Sequence, residues 1–217
     1  EMPLGLEENK KRGQGDFYCS VGGKNAYGRI VAEEHLIACI NANINISGIN
    51  AEVAPGQWEF QIGPCEGIEQ GDQLWMARYL LIKIAEKYNL DVNFDPKPVP
   101  GDWNGSGCHA NISTLYMREG SLKHDGLYYI DDAIKKMSLK HNEHMDVYGS
   151  GNEQRMTGLH ETASYDIFSD GIANRGCSIR RGTETVKNRK GYFEDRRPSS
   201  NCDPYLVTGK IFETIIS

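Results

Sequence analysis

The dipeptide Pro55-Gly56, flanked by two short strand-like runs, constrains the fold more than any other local feature of the chain. Proline at the first central position and glycine at the second are typical of a type II turn. A two-residue loop at this point places Glu52 directly opposite Glu59 on one face of the hairpin. The sequence therefore predicts a β-hairpin that carries two facing carboxylates.

Facing carboxylates repel each other unless a cation lies between them. Hard divalent cations take carboxylate oxygens as ligands, so the pair indicates a metal site. The alternative is a solvated hairpin rim whose two glutamates point apart. A type II turn also fits the twist of a hairpin less well than the primed turns do, so the hairpin alone leaves both interpretations open.

Three further stretches carry polar side chains in patterns that suit a binding site. Alternation between residues 108 and 113 places three polar residues on one strand face: His109, Asn111 and Ser113. A second predicted strand, within residues 191–198, presents three more: Tyr192, Glu194 and Arg196. The third stretch, residues 158–162, is a polar connection, where a mobile loop carrying Glu161 is expected.

These stretches lie within four longer motifs: NAEVAPGQWEFQIGP, FDPKPVPGDWNGSGCHANIS, NEQRMTGLHETAS and GYFEDRRPSSNCDPY. Together and in this order they resemble the catalytic domain of eukaryotic-type glutamine synthetase, from about Gln14 to the C-terminus. The resemblance implies a curved, mainly antiparallel sheet whose concave face holds the active site and whose outer face carries helices. Residues 1–15 are predicted to be a loop-like leader, and 16–217 the catalytic domain.

Local patterns agree with an α+β fold, because strands and helices are mixed without regular βαβ alternation. Helices are predicted over 29–44, over 72–88 with Asp72 as N-cap, over 128–147, and from Asp203-Pro204 to Ile216. Strands are predicted over 46–53, 58–63 and 90–94. His141 and His144 share a helix face at metal-ligand spacing, but such a pair is more often structural.

The resemblance implies ATP-dependent ligation of ammonia to L-glutamate, through a γ-glutamyl phosphate intermediate, to give L-glutamine. It implies two or more Mg²⁺ or Mn²⁺ ions per site, one held by Glu52 and Glu59 and the other by His109 and Glu194. ATP is then a co-substrate, and the ions neutralise its phosphate charge.

The resemblance also assigns roles to individual residues. Glutamate contacts fall on Asp102, Trp103, Arg155, Arg175 and Arg196. Nucleotide contacts fall on Glu59, Asn111, Ser113, Arg175, Arg180, Tyr192 and Phe193. Glu161 corresponds to a loop glutamate that shields the intermediate and helps to accept the ammonium proton, and Arg175 to an arginine that touches both glutamate and the transferred phosphoryl group.

Composition excludes several other classes of protein. The net charge of −6 argues against a nucleic-acid partner, and no run of 18 apolar residues predicts a membrane span. Eight basic and three acidic residues lie between Arg175 and Arg197, which is either a solvated loop or a site for a polyanion such as a nucleoside triphosphate. Six cysteines without a secretory signal predict reduced thiols, and a cytoplasmic location is expected.

The chain departs from the family pattern at its start. The family has a further Glu-x-Glu pair before the segment that residues 13–21 resemble, and a small N-terminal domain, and neither is found here. Each metal is then expected to have only two protein ligands, and the chain alone is expected to be inactive. The full-length parent is expected to be a ring-shaped homo-oligomer, a decamer by resemblance.

Two other functions stay open at this point. One is a non-catalytic relative used for assembly or binding, in which the absent strand is genuine. The other is a family ligase that acts on a different amine or carboxylate. The intact set of charged residues favours the glutamine-forming ligase, because a purely structural relative has no need of it.

Overall fold

The computed structural model describes residues 2–217, which form two compact units. The first unit comprises residues 2–93 with Val99–Asn104, and the second comprises Phe94–Pro98 with Gly105–Ser217. Each unit has its own sheet and its own apolar core. The division predicted between residues 15 and 16 stays a prediction, although a single helical turn, α1 (Leu6–Asn9), lies within the proposed leader.

The first unit packs two helices beside one hairpin. Its further elements, in chain order, are α2 (Arg29–Asn41), β1 (Ile46–Ala51), β2 (Trp58–Ile62) and α3 (Glu69–Glu86). The two strands pair antiparallel. Two small apolar clusters join the helices to each other and to the hairpin, one around Val31 and Ile84 and one around Cys39 and Ala77.

The second unit holds a four-stranded sheet and the larger core. Its elements are β3 (Ala110–Ile112), α4 (Leu115–Glu119), α5 (Gly126–Leu139), α6 (His141–Met145), a 3₁₀ turn (Asn152–Gln154), β4 (Asp170–Ile172), β5 (Ile179–Arg181), α7 (Thr183–Asn188), β6 (Phe193–Asp195) and α8 (Pro204–Ile216). The strand order is β3-β6-β5-β4, and only the β4–β5 pairing is parallel. The predicted α+β class is confirmed, with mainly antiparallel pairing.

Capping explains where several helices begin. The Asp203 side chain accepts a hydrogen bond from the Tyr205 N–H (2.8 Å), with Pro204 in the first turn, as predicted. Asp125 caps α5 in the same way by accepting from the Tyr128 N–H. The prediction that Asp72 caps α3 is wrong, because that helix already begins at Glu69 and its N-cap makes no side-chain bond.

Two other predicted elements differ from the structure. Residues 90–94 form no strand. The single helix predicted over 128–147 is two helices, α5 and α6, separated at Lys140. His141 and His144 both lie on α6 and are buried, where they make protein contacts described below. No helix within residues 2–217 is both long and apolar enough to cross a membrane.

Candidate functional site

The hairpin of the first unit forms around the predicted turn. The Gln57 N–H donates to the Ala54 carbonyl (3.2 Å) across Pro55-Gly56, and Gly56 has a φ of 71°, which a type II turn requires at that position. A side chain at Gly56 would also collide with the Leu4 carbonyl oxygen, 2.8 Å from an added Cβ. The predicted turn at Pro55-Gly56 is therefore confirmed.

The predicted pairing of Glu52 with Glu59 is wrong by two residues. Glu59 lies opposite Asn50, and the Glu52 N–H donates to the Gln57 carbonyl (2.9 Å), so four residues rather than two separate the last paired positions. A slip of two positions keeps every side chain on its original face. The two glutamates therefore still share a face, as diagonal rather than direct neighbours.

The carboxyl groups of Glu52 and Glu59 interact with each other. Burial, together with the hydrogen bond and the negative charge of Glu59, raises the pKa of Glu52 to about 7. Asn50 Nδ2 donates to Glu52 Oε1 (3.3 Å), and Gln61 Nε2 donates to Glu59 Oε1 (2.8 Å). The pKa of Glu52 is raised because the group is buried and the two carboxyl groups lie close together. A divalent cation bound between them would neutralise their repulsion, so Glu52 and Glu59 fit a metal site.

In the second unit, three strands and the residues next to them bring five of the predicted residues together. Glu194 on β6 lies opposite Asn111 on β3 and opposite Arg180 on β5. Its carboxylate accepts from Arg180 Nε (2.5 Å) and Arg196 Nη1 (3.1 Å), and it lies 3.3 Å from His109 Nδ1. The strand predicted through Arg196 ends at Asp195, but the side chains of Glu194 and Arg196 are in contact.

The charges in this cluster determine which groups are ionised. Burial alone would raise the pKa of Glu194, but the hydrogen bond from His109 and the charges of Arg196 and Arg180 lower it to about 2. Desolvation, followed by the positive charges of Arg196 and Arg155, lowers the pKa of His109. An ionised carboxylate beside a neutral imidazole is a suitable donor pair for Mg²⁺ or Mn²⁺.

The Gly158–Thr162 loop carries the predicted catalytic glutamate and is held by two of the predicted substrate arginines. Arg175 Nη1 donates to both oxygens of Glu161 (2.9 and 3.2 Å), and Arg196 Nη2 donates to the Glu161 carbonyl (3.1 Å). His160 and Glu161 both have left-handed backbone, with φ of 50° and 59°. Two consecutive residues in that region cost conformational energy, so the ion pair holds a loop that is not relaxed.

Arg155 has a contact pattern that the sequence did not predict. Its Nη2 donates to three main-chain carbonyls, those of residues 196–198 (2.7 to 3.3 Å), and its Nε donates to Asn152 Oδ1 (3.0 Å). Asn152 itself donates to the Arg197 carbonyl (2.7 Å). Buried Arg155 thus holds the backbone of residues 196–198, which positions the Arg196 side chain. This contact is separate from the role toward glutamate that was predicted for Arg155.

A cavity of about 210 Å³ lies on the face of the four-stranded sheet that carries Asn111, Arg180 and Glu194. Its lining comprises Asn111, Ala173, Arg175, Arg180, Gly182, Tyr192 and Glu194. Five of these were predicted as metal or nucleotide residues, whereas Ala173 and Gly182 were missed. Ala173 and Gly182 carry no polar side chain, so neither charge nor alternation marked them in the sequence.

The remaining predicted residues are placed as follows. Ser113 donates its hydroxyl to the Gly191 carbonyl (2.6 Å), and Phe193 is fully buried in the core and exposes no surface. The predicted nucleotide contact of Phe193 therefore stays a prediction. Asp102 and Trp103 belong to the first unit, as do Glu52 and Glu59, whereas all the other predicted site residues belong to the second. The joint two-metal centre therefore stays a prediction, as do the roles of the individual residues.

Structural roles account for the two histidines on α6. His144 contacts the Tyr148 hydroxyl (2.7 Å) and Thr214 Oγ1 (2.9 Å), and His141 contacts the Tyr165 carbonyl (2.9 Å). Behind them, Asp195 and Arg197 form a fully buried ion pair (2.7 Å). Within residues 2–217 no group of three or more His, Cys, Asp or Glu side chains is arranged to hold a metal, so the two pairs described above are the candidates.

Comparison with known proteins gives the family. The family model described as "Glutamine synthetase, catalytic domain" matches residues 3–137. The glutamine synthetase of Candida glabrata is 59% identical over 202 residues, which is 93% of this chain and 53% of that protein. Root isozyme A of Pisum sativum glutamine synthetase is 58% identical over 203 residues, covering 94% and 56% respectively.

A solved structure agrees with these sequence matches at the level of the fold. The cryo-EM structure of Plasmodium falciparum glutamine synthetase superposes with a TM-score of 0.75 and 20% identity, over 90% of this chain and 39% of that one. The chain belongs to the glutamine synthetase catalytic-domain family. It spans about half the length of the curated relatives it matches.

Proposed function

We propose that the protein carrying this chain joins ammonia to L-glutamate at the expense of ATP, through γ-glutamyl phosphate, to give L-glutamine. The observation that carries the proposal is the cluster around Glu194. Two guanidinium groups, those of Arg180 and Arg196, meet one ionised carboxylate beside a cavity that Arg175 also lines. Guanidinium groups suit phosphate and carboxylate because they donate two parallel hydrogen bonds.

Each part of the site has a distinct task in this reaction. Arg180 and Arg175 hold the phosphate groups of ATP, while Arg196 and Arg155 hold the carboxylate of glutamate, with Asp102 and Trp103 beside it. Asn111, Ser113 and Tyr192 contact the nucleotide. Placing both substrates in this way lowers the barrier by orientation and by electrostatic stabilisation of the transferring group.

Divalent ions, Mg²⁺ or Mn²⁺, would be held by Glu52 with Glu59 and by His109 with Glu194. When bound they would neutralise phosphate charge during transfer. The raised pKa of Glu52 and the adjacency of His109 to ionised Glu194 support both donor pairs.

Glu161 completes the proposed site. Its loop excludes water, which would hydrolyse the acyl phosphate, and its carboxylate takes the proton that ammonium must lose before nitrogen attacks. The present contact with Arg175 shows that this carboxylate can reach an arginine of the cavity. We further propose a cytoplasmic location and a ring-shaped homo-oligomer, a decamer, for the whole protein.

Isotope transfer tests the reaction. Glutamate labelled with ¹⁸O in its γ-carboxylate should pass one labelled oxygen to phosphate for each glutamine formed, because the acyl phosphate loses that oxygen when ammonia displaces it. Arg196→Ala should weaken glutamate use far more than ATP binding, and Arg189→Ala, an exposed arginine paired with Asp125, serves as the matched control. Unlabelled phosphate, or glutamine formed without ATP, would contradict the intermediate.

The same assay separates the alternatives. A non-catalytic relative would bind nucleotide without forming glutamine, and a ligase for another amine would prefer that amine over ammonia at equal concentration. Glu59→Gln should raise the Mg²⁺ or Mn²⁺ concentration needed for half-maximal rate, with Glu86→Gln, an exposed glutamate of α3, as control. An unchanged metal requirement in Glu59→Gln would remove that residue from the metal site.

A further inference from the structure

The contact between Glu161 and Arg175 places a protein carboxylate on an arginine of the proposed nucleotide site. Arg175 lines the cavity of about 210 Å³ together with Arg180. Its Nη1 donates to both carboxylate oxygens of Glu161 (2.9 and 3.2 Å). Carboxylate and phosphate oxygens accept from a guanidinium group in the same way, so Glu161 uses hydrogen bonds of Arg175 that a phosphate group would also use.

The two arginines of this cavity differ in how firmly the protein holds them. Arg180 donates through Nε to Glu194 (2.5 Å), whose carboxylate is buried and also accepts from Arg196. Both side chains of the Arg175 contact are instead about half exposed. Ion pairs at that exposure are weak, because water and salt screen them. Arg175 is therefore the arginine that an incoming anion takes from its protein partner more easily.

The loop that carries Glu161 is suited to release this contact at its tip. His160 and Glu161 have φ of 50° and 59°, and left-handed backbone at two consecutive residues with side chains costs conformational energy. Below the tip, an antiparallel bridge between Thr157 and Ser164 closes the base of the loop. Release of the Glu161 carboxylate therefore changes the tip without opening the base.

We propose that Glu161 competes with the nucleotide for Arg175, so that the triphosphate group displaces the Glu161 carboxylate as it binds. A triphosphate carries several negative charges and a carboxylate only one, so the phosphate groups win this competition at saturating concentration. The displaced carboxylate then becomes available for its proposed task toward ammonium, which makes that step depend on bound nucleotide. The inference rests on the nucleotide site proposed above.

The test measures binding of inorganic tripolyphosphate, without metal ions, through the NMR signal of the ¹³C-labelled Ala173 methyl group, which lines the cavity. Because the ion pair occupies Arg175 for part of the time, Glu161→Gln should bind tripolyphosphate about two- to sixfold more tightly than the parent chain does. Glu153→Gln is the matched control, because it removes an exposed glutamate from the preceding 3₁₀ turn, and it should bind as the parent does.

A double-mutant cycle separates competition from simple charge repulsion. In an Arg175→Gln background Glu161 has no guanidinium group to occupy, so adding Glu161→Gln should leave the affinity for tripolyphosphate unchanged. Repulsion between the Glu161 carboxylate and the phosphate groups would instead give the same gain in both backgrounds, and that result would overturn the proposal.

Hydrogen exchange gives a second readout, on the loop rather than on the cavity. Saturating tripolyphosphate should speed exchange of the amides of residues 158–162 in the parent chain but not in Glu161→Gln, where the ion pair is already absent. The inference fails if Glu161→Gln binds no more tightly than the parent, or if exchange in the parent stays the same or slows. A cavity that takes up no tripolyphosphate in any variant overturns the inference and the proposed nucleotide site together.

Discussion

At the scale of single residues, Glu161 occupies an unexpected position, because it is paired with a residue proposed to bind substrate. Its carboxylate accepts both hydrogen bonds from one nitrogen of Arg175, and both side chains are about half exposed. Ion pairs at that exposure contribute roughly 0.2–1 kcal/mol and weaken as salt is added. The loop is therefore held weakly enough for a substrate to displace Glu161 from Arg175.

Arg175→Ala should accordingly loosen the Gly158–Thr162 loop. Loss of a contact worth roughly 0.2–1 kcal/mol should speed local opening by about one-and-a-half to fivefold at low salt, and by less at high salt. Hydrogen exchange of the loop amides measures this directly, with Arg189→Ala as the control for removing an arginine. Equal exchange rates in both variants, or an effect that salt does not reduce, would mean that the ion pair does not hold the loop.

The sequence could not predict some residue-scale features for physical reasons. The hairpin turn followed from Pro55-Gly56, but the register did not, because Val53 and Ala54 lengthen the loop without any local signal. The three-carbonyl contact of Arg155 depends on backbone from residues 196–198, some 40 positions away. Long-range contacts of that kind leave no mark in local spacing.

At the scale of elements, the long periodic helices were predictable and several short elements were not. Helices α2, α3 and α8 carry enough turns for their apolar spacing to stand out. Strands β4 and β5 were not predicted, because they lie outside the four motifs, whereas the equally short β3 and β6 lie inside them. Helix α4 was missed although Thr114 caps it by accepting from the Met117 N–H (3.2 Å), a signal that was present in the sequence.

Strand β6 and the segment after it depend on Asn152 for their position. This side chain is fully buried, donates to the Arg197 carbonyl (2.7 Å) and accepts from Arg155 Nε (3.0 Å). Asn152→Ala leaves Arg155 Nε buried without an acceptor and removes one of the two donors to the Arg197 carbonyl, which should cost about 1–3 kcal/mol of unfolding free energy. It should also weaken glutamate binding, because Arg155 and Arg196 lose their support.

The measurement is urea unfolding followed by circular dichroism, with glutamate affinity measured in parallel. Asn188→Ala is the matched control, because Asn188 is exposed and its side chain bonds to Glu184 on its own helix. That control should lie within about 0.5 kcal/mol of the parent chain. A stability loss in Asn152→Ala no larger than in the control would show that the carbonyl contacts of Arg155 suffice alone.

At the scale of the whole molecule, the strongest pH-sensitive feature is the buried polar network of the second unit. His144, Tyr148, Asp195 and Arg197 are all fully buried and linked by hydrogen bonds. Desolvation, followed by the charge of Arg197, lowers the pKa of His144 to about 4, and desolvation also lowers the pKa of His141. The folded chain therefore holds these histidines neutral at a pH where the unfolded chain protonates them.

The sign of the resulting pH dependence follows from proton binding. Because the folded pKa of His144 lies below the unfolded value of about 6.5, the stability that it contributes is fully present above pH 6.5 and is lost as the pH falls toward 4. Between pH 7 and pH 5 the loss from this residue alone is about 2 kcal/mol.

His144→Gln should therefore be less stable than the parent chain at pH 7 and yet less sensitive to acid. The amide can still bond to Tyr148 and Thr214, but it takes up no proton, so its unfolding free energy should fall about 2 kcal/mol less than that of the parent between pH 7 and pH 5. Urea unfolding at both pH values measures the difference from the parent's slope, with His124→Gln, a change at an exposed histidine, as the control for the substitution itself. If His144→Gln also keeps that slope, protonation of another group in the network, such as His141, governs the acid lability, and the low pKa assigned to His144 is wrong.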